Sequence, residues 1–222
     1  MKKKSIRFLG IVSFLSGIGL LFYVLYPIFS YEIVSSLKYP TYLSPVPEGQ
    51  GLEPSRQAVD FTKASNWLPL KETNFDEASA KYYTLSIPSL DIKNATVSIG
   101  GEDLSKSLVQ YPGTAYPGRR GNAVVFGHSV LPQFFNPEDY LTIFSTLPTI
   151  KKNDSIFIEH DGITYEYKVE SSFEVLPTDI QILEQNTSDS FLTLVTCVPP
   201  GHPLRPKRLI VRARVVPFGE RI

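Results

Sequence analysis

FLTLVTCVPPGHPLRPKRLIVRARVV occupies residues 191–216. Residues 191–196 are a strongly β-forming run that ends on Cys197. Val-Pro-Pro-Gly then takes the chain out of the sheet, and Pro199, Pro200 and Pro203 stiffen the loop that follows. From residue 209, Leu209, Val211, Ala213 and Val215 alternate with Ile210, Arg212 and Arg214, the period-two signature of a second strand. The stretch therefore reads as two strands joined by a short turn-forming loop, with the chain's one cysteine where the first strand leaves the sheet.

The same signals recur upstream. Tyr83, Leu85 and Ile87 alternate until Pro88 stops the run, and residues 92–99 form the next strand candidate. Residues 111–122, YPGTAYPGRRGN, are all turn signal, and the apolar strand 123–127 then ends at His128. Residues 155–159 and 163–173 flank Asp161-Gly162, a hairpin turn. Short helices are expected at 104–108, capped by Asp103 or Ser105, and at 138–148, where Tyr140, Leu141, Phe144 and Leu147 share a side. Connections this brief exclude repeated βαβ crossovers. Seven or eight strands with short helical insertions predict a mainly β fold, a closed or nearly closed mixed barrel.

The 222 residues and 24.9 kDa suffice for one domain with a hydrophobic core. Formal net charge is zero, but the first 30 residues hold Lys2, Lys3, Lys4 and Arg7 and no acid, leaving the rest at −4. A mildly acidic body argues against nucleic acid as a partner. One cysteine excludes an intrachain disulfide framework and any zinc site of several cysteines. Histidines and carboxylates show no metal-ligand spacing, and no phosphate-binding glycine motif occurs, so neither metal nor cofactor is expected.

Residues 8–29, FLGIVSFLSGIGLLFYVLYPIF, carry no charge and are long enough to span a bilayer as a helix. Tyr23, Tyr26 and Tyr31 sit near the far end as interfacial anchors, and the basic cluster before the run places the N-terminus in the cytoplasm. The run is long for a cleaved signal peptide, and no small-x-small site follows it. The expected organisation is a cytoplasmic tail (1–7), a single transmembrane helix in the cell membrane (8–30), an extracellular spacer (31–60), an N-terminal extension packing on the barrel (61–80), and the barrel (81–222). Pro40, Pro45, Pro47 and Pro54 mark the spacer. A short helix is possible within 61–80, with Trp67 as a packing anchor.

A free cysteine often merely fills a core. Cys197 instead stands at a strand end beside a loop, where reactive groups are displayed. A nucleophilic thiolate needs a base or cation nearby. Of the three histidines, His128 mirrors Cys197 at the end of its own strand, His160 lies in a hairpin turn, and His202 lies in the loop after the cysteine. Arg208 opens the last strand and can reach the same rim, whereas Arg205 and Lys207 read as solvated loop residues. A specificity groove is expected beside Cys197 from loops 130–140 and 171–182. Its candidate substrate contacts are Thr196, Phe134, Phe135, Val175, Leu176 and His202, with core packing the equal alternative for Phe134, Phe135, Val175 and Leu176.

TLVTC at 193–197 resembles the TLxTC signature of sortases, cysteine transpeptidases of the bacterial cell surface. QYPGT at 110–114, GNAVVFGH at 121–128 and KRLIVRA at 207–213 follow the family's order, with weaker elements at 144–147 and 153–156. Together they cover roughly residues 81–216. The resemblance implies an eight-stranded sortase-like β-barrel with Cys197 as nucleophile, His128 as acid/base and Arg208 as the arginine. It implies surface proteins bearing a C-terminal LPxTG-like sorting signal as substrates, cleaved after Thr, and an amine acceptor such as a peptidoglycan precursor. A hydrolytic cysteine peptidase on the same barrel and a catalytically silent surface-binding module are the alternatives. No Asp-Pro-Trp covering segment is seen before the barrel; SNWLP at 65–69 matches it only in part. That points to a non-pilus class, such as class D or E.

Overall fold

The computed structural model describes residues 2–39, 60–68 and 81–217. Among them, eight strands close a barrel in the order β1-β2-β3-β4-β7-β8-β6-β5. The strands are β1 (Lys81–Ile87), β2 (Ile92–Ile99), β3 (Leu108–Gln110), β4 (Gly121–Phe126), β5 (Ser155–His160), β6 (Ile163–Val175), β7 (Ser190–Val198) and β8 (Lys207–Val215). The β2–β3 and β4–β7 pairs are parallel and the rest antiparallel, with β1 on β5 closing the ring. The predicted mixed barrel is thus present.

Two apolar clusters hold it. The interior takes residues from every strand, among them Leu85, Val97, Leu108, Val125, Ile158, Val169, Leu194 and Val211. The second lies on the outer face of β4, β7 and β8, where Val124, Phe126, Val195, Cys197 and Ile210 pack under Ala64, Trp67 and Leu68. β7 is therefore buried along its whole length. That is why residues 191–196 read as a continuous β-forming run without the polar alternation of a half-exposed strand. β8 alternates only toward its end, where Arg212 and Arg214 meet solvent.

Two local expectations are corrected. Residues 138–148 form turns followed by a 3-10 turn at Leu147–Thr149, not a helix. Here side chains compete for the backbone: Asn136 N donates to Thr142 Oγ1 (2.9 Å) and Leu141 N to Asp139 Oδ1 (2.9 Å), which closes local turns before a helix can propagate. At 104–108 Asp103 Oδ1 accepts from Ser105 N (2.9 Å), but only a turn follows and the chain enters β3, a strand the sequence did not reveal. The short helix allowed for in the extension is a single 3-10 turn, Ala64–Asn66; residues 69–80 lie outside the described residues.

The N-terminal helix α1 (Lys2–Lys38) runs past the expected boundary at residue 30, through Pro27. Residues 8–25 expose their apolar side chains, and the last turns rest on the barrel. There Tyr31 donates to Glu174 Oε1 (2.7 Å), Lys207 pairs with Glu32 and Glu174, and Tyr39 donates to the Pro148 carbonyl (3.0 Å). The spacer at 40–59 lies outside the described residues.

Leu194, fully buried and opposite Val211, tests the interior. Leu194→Ala is expected to lower unfolding free energy by roughly 2–5 kcal/mol, through lost transfer energy and a cavity. Urea unfolding followed by tyrosine fluorescence measures it.

Candidate active site

Register builds the site. Cys197 on β7 is directly opposite Arg208 on β8. On the other side of β7, Val195 pairs with Phe126 of the parallel strand β4, so two residues further along each chain His128 and Cys197 stand at the same level. Three hydrogen bonds hold the β4 exit to β7. Gly127 N donates to the Val195 carbonyl (3.1 Å), Thr196 Oγ1 to the Gly127 carbonyl (2.8 Å), and Ser129 Oγ to the Cys197 carbonyl (2.6 Å). Phe144 N also donates to the His128 carbonyl (2.9 Å). Gly127 has to be glycine here: a Cβ would meet the Phe144 ring and a Leu108 methyl at 2.4–2.6 Å.

The three groups brought together from 128, 197 and 208 are all covered. Cys197 and Arg208 are 2 % exposed and His128 4 %. The cover is segment 60–68. Trp67 stands edge-on to the His128 ring (5.6 Å between centroids), and the Arg208 guanidinium lies 5.2 Å from the Trp67 ring and 5.8 Å from Phe61. Arg205 packs over Phe61 at 4.5 Å. Trp67 Nε1 donates to the Phe61 carbonyl (2.8 Å), and Ala64 N and Leu104 N tie the segment to residues 102–104. The described part of the expected extension, residues 61–68, thus packs on the barrel over the site. The cover is built without an Asp-Pro-Trp sequence.

Arg208 Nη1 donates to the carbonyls of Arg205 (3.0 Å) and Lys207 (3.3 Å), while its Nε and His128 Nε2 are buried without a hydrogen-bond partner among the described residues. Burial, then the Arg205 cation, pushes the His128 pKa down to about 4, with Asp60 and Asp103 opposing. Burial pushes the Cys197 thiol up, against the pull of Arg208 and Arg205. Under the cover both groups are neutral at pH 7: a thiol beside an imidazole, not a thiolate beside an imidazolium.

The other candidate contacts divide. Thr196 is fully buried and its hydroxyl is spent on Gly127, which makes it a tie between strands. Val175 belongs to the outer core, and Phe135 packs against the interior. Phe134 and Leu176 are exposed. His202 Nδ1 accepts from Leu204 N (3.1 Å) within its own loop. Lys207 and Arg205 are not simply solvated, since Lys207 is ion-paired to Glu32 and Glu174, and Arg205 buries Nη1 and flanks Phe61. Arg205 was missed because its side chain meets Phe61, a contact with no local sequence signal.

Two measurements check this electrostatics. Trp67→Ala should let water reach Cys197 and His128, and alkylation of Cys197 by iodoacetamide at pH 7 should accelerate at least ~10-fold as the thiolate fraction rises. The native state also refuses a proton that the unfolded chain accepts between the ordinary histidine value and about 4. Its contribution to stability is complete above pH ~6.5 and is lost as pH falls toward ~4, on the order of 3 kcal/mol. Urea midpoints of His128→Gln should fall less than those of the unmodified protein across that window.

The sortase domain family model matches residues 85–216, most of the barrel. Sortase A of Bacillus anthracis is 27% identical over 117 residues, and the chain spans about half the length of that curated relative (50%) while half of this chain (51%) is matched. Among solved structures, sortase A from Corynebacterium diphtheriae is similar at 29% identity and TM-score 0.55, covering 66% of each chain. A lid mutant of that protein gives 30% and 0.54, covering 64% of this chain and 74% of that one. Sortase C-1 from Actinomyces oris gives 27% and 0.53, covering 61% and 74%. With the sortase domain matched over residues 85–216, a stretch that enters all eight strands of the barrel, the chain belongs to the sortase family.

Proposed function

We propose that the protein is a membrane-anchored cysteine transpeptidase that cleaves an LPxTG-like sorting signal after Thr and passes the acyl group to an amine of the cell surface. The observation that carries this reading is the convergence of Cys197, Arg208 and His128 at one level of three neighbouring strands. In the first half, the Cys197 sulfur attacks the Thr carbonyl carbon. The carbon–nitrogen bond to the next residue breaks, and His128 gives its proton to the leaving amine. Arg208, whose Nη1 donates to backbone carbonyls and not to a carboxylate, has its charge available for the oxyanion. In the second half an incoming amine, such as that of a peptidoglycan precursor, attacks the thioester, loses a proton to His128 and releases Cys197.

The signal has to reach a sulfur that Trp67 and Phe61 now cover, so productive binding requires segment 60–68 to leave. Its departure rehydrates the pair, which favours the ionised thiolate and imidazolium. Of the expected groove, residues 171–175 belong to β6, whose end at Val175 pairs with Arg208; loop 130–140 and the chain that leaves β6 there are the groove of this reading, with Leu176 and His202 at the surface to receive the peptide. The uncharged run 8–29 behind Lys2, Lys3, Lys4 and Arg7 supports a single span, N-terminus in the cytoplasm and barrel outside. Protease added to intact cells should then degrade the barrel and spare the N-terminal tail.

Incubation with an LPxTG peptide and a glycine-based amine, read by mass spectrometry, tests the chemistry. The expected product joins the amine to the Thr carboxyl. Cleavage elsewhere, or no cleavage of any Leu-Pro peptide, removes the substrate, and a hydrolysed product in excess amine removes transfer. Cys197→Ala should form no acyl-enzyme. His128→Ala should form it roughly 10²–10⁴-fold more slowly. Arg208→Lys should lose about 10²–10³-fold, because a point charge does not reproduce the guanidinium fork. His202→Ala should lose modestly at most. A dead His202 variant beside an active His128 variant would reverse the assigned base.

A further inference from the structure

The helix and the catalytic end of the barrel meet at a place that chain length locates within the membrane. Proline has no N–H, so Pro27 leaves the carbonyl of Tyr23, four residues earlier, without its helical donor. Gln133 Nε2 donates to that carbonyl from the barrel (3.5 Å). A bare carbonyl is costly in lipid, and a side-chain donor from a packed neighbour relieves it. At 1.5 Å per residue, the uncharged run 8–29 is about 33 Å long, close to the hydrocarbon thickness, and Tyr23 lies about 9 Å before its outer end. Gln133 therefore touches the helix below the level at which the run ends.

The neighbours of Gln133 suit that depth. Phe134 is 59 % exposed, and Leu204, in the loop after Cys197, 80 %. The two loops form one surface: a Cβ on Gly201, held at φ +78°, would strike Leu131 at 2.6–2.8 Å. Pro132 and Pro200 line, with Tyr26, Pro27, Ser30 and Val34, an apolar cleft of about 310 Å³ between barrel and helix. Apolar groups exposed beside a membrane helix, with tyrosines at 23 and 26, match the composition of a membrane–water interface.

We infer that the rim formed by residues 131–135 and 200–204 is seated in the outer interface of the lipid bilayer, with Phe134 and Leu204 inserted among the acyl chains. This rests on the reading of residues 8–29 as a membrane span. Its consequence is that Cys197, three residues before Pro200, opens at the membrane surface rather than a barrel's height above it.

The full chain reconstituted in vesicles of phosphatidylcholine and phosphatidylglycerol, with acyl chains dibrominated near the headgroup, tests this by tryptophan quenching. The native tryptophan, Trp67, is buried and supplies the baseline. Phe134→Trp and Leu204→Trp should each lose at least half of their added emission. Phe14→Trp, inside the run, should be quenched as well. Tyr116→Trp, beside His160 at the opposite end of the barrel, should keep its emission. Quenching of Phe14→Trp with full emission from Phe134→Trp and Leu204→Trp overturns the seated rim and leaves the span standing. Full emission from Phe14→Trp removes the span, and the rim with it.

Discussion

β7 lies between a parallel partner and an antiparallel one, and both of its faces are buried. Inward, Leu192 and Leu194 complete the barrel interior; outward, Val195 and Cys197 carry the second cluster. A strand so enclosed cannot slip, since a one-residue shift would exchange its two faces against neighbours already packed. Its register on β4 and β8 therefore sets the positions of His128, Cys197 and Arg208 together. The bonds from Gly127, Ser129 and Thr196 extend that control beyond the last ladder pair, to the loop that carries the imidazole. The site is precise because it stands at the ends of strands and not on free loops.

The same enclosure creates an electrostatic problem. Sulfur, imidazole and guanidinium are held together under Trp67 and Phe61, and desolvation works against the charges that nucleophilic chemistry needs. Arg208 and Arg205 favour a thiolate, Arg205 disfavours a second cation on His128, and burial opposes both charges. The structure therefore holds the neutral form of the pair under its cover. Uncovering changes solvation and access at once, which couples ionisation of Cys197 to exposure of its sulfur.

Helix α1 adds a second constraint. Its last turns are tied to β6 and β8 by Tyr31 and by the Glu32, Glu174 and Lys207 cluster, close to the start of the strand that bears Arg208. The barrel is thus held against the helix by specific polar contacts near the strand ends that carry Cys197 and Arg208. An extended spacer alone would leave its orientation free.

Much of this was legible in the residues. The membrane-length run, the alternation of β1, β6 and β8, the hairpin at Asp161-Gly162 and the strand-end positions of Cys197 and His128 all depend on near neighbours in the chain. Such signals survive in sequence because they follow from periodicity and turn chemistry. The failures have the opposite origin. Nothing around Leu108–Gln110 shows that β2 will accept it in parallel, and the apolar spacing at 138–148 does not show that Asn136, Asp139 and Thr142 will capture the backbone first. That Phe61 and Trp67 lie over residues more than sixty positions away, and that Arg205 joins them, depends on contacts between distant segments. Identity and order of the reactive groups were written along the chain; their burial, their neutral state and the surface they face came from packing, which no local pattern encodes.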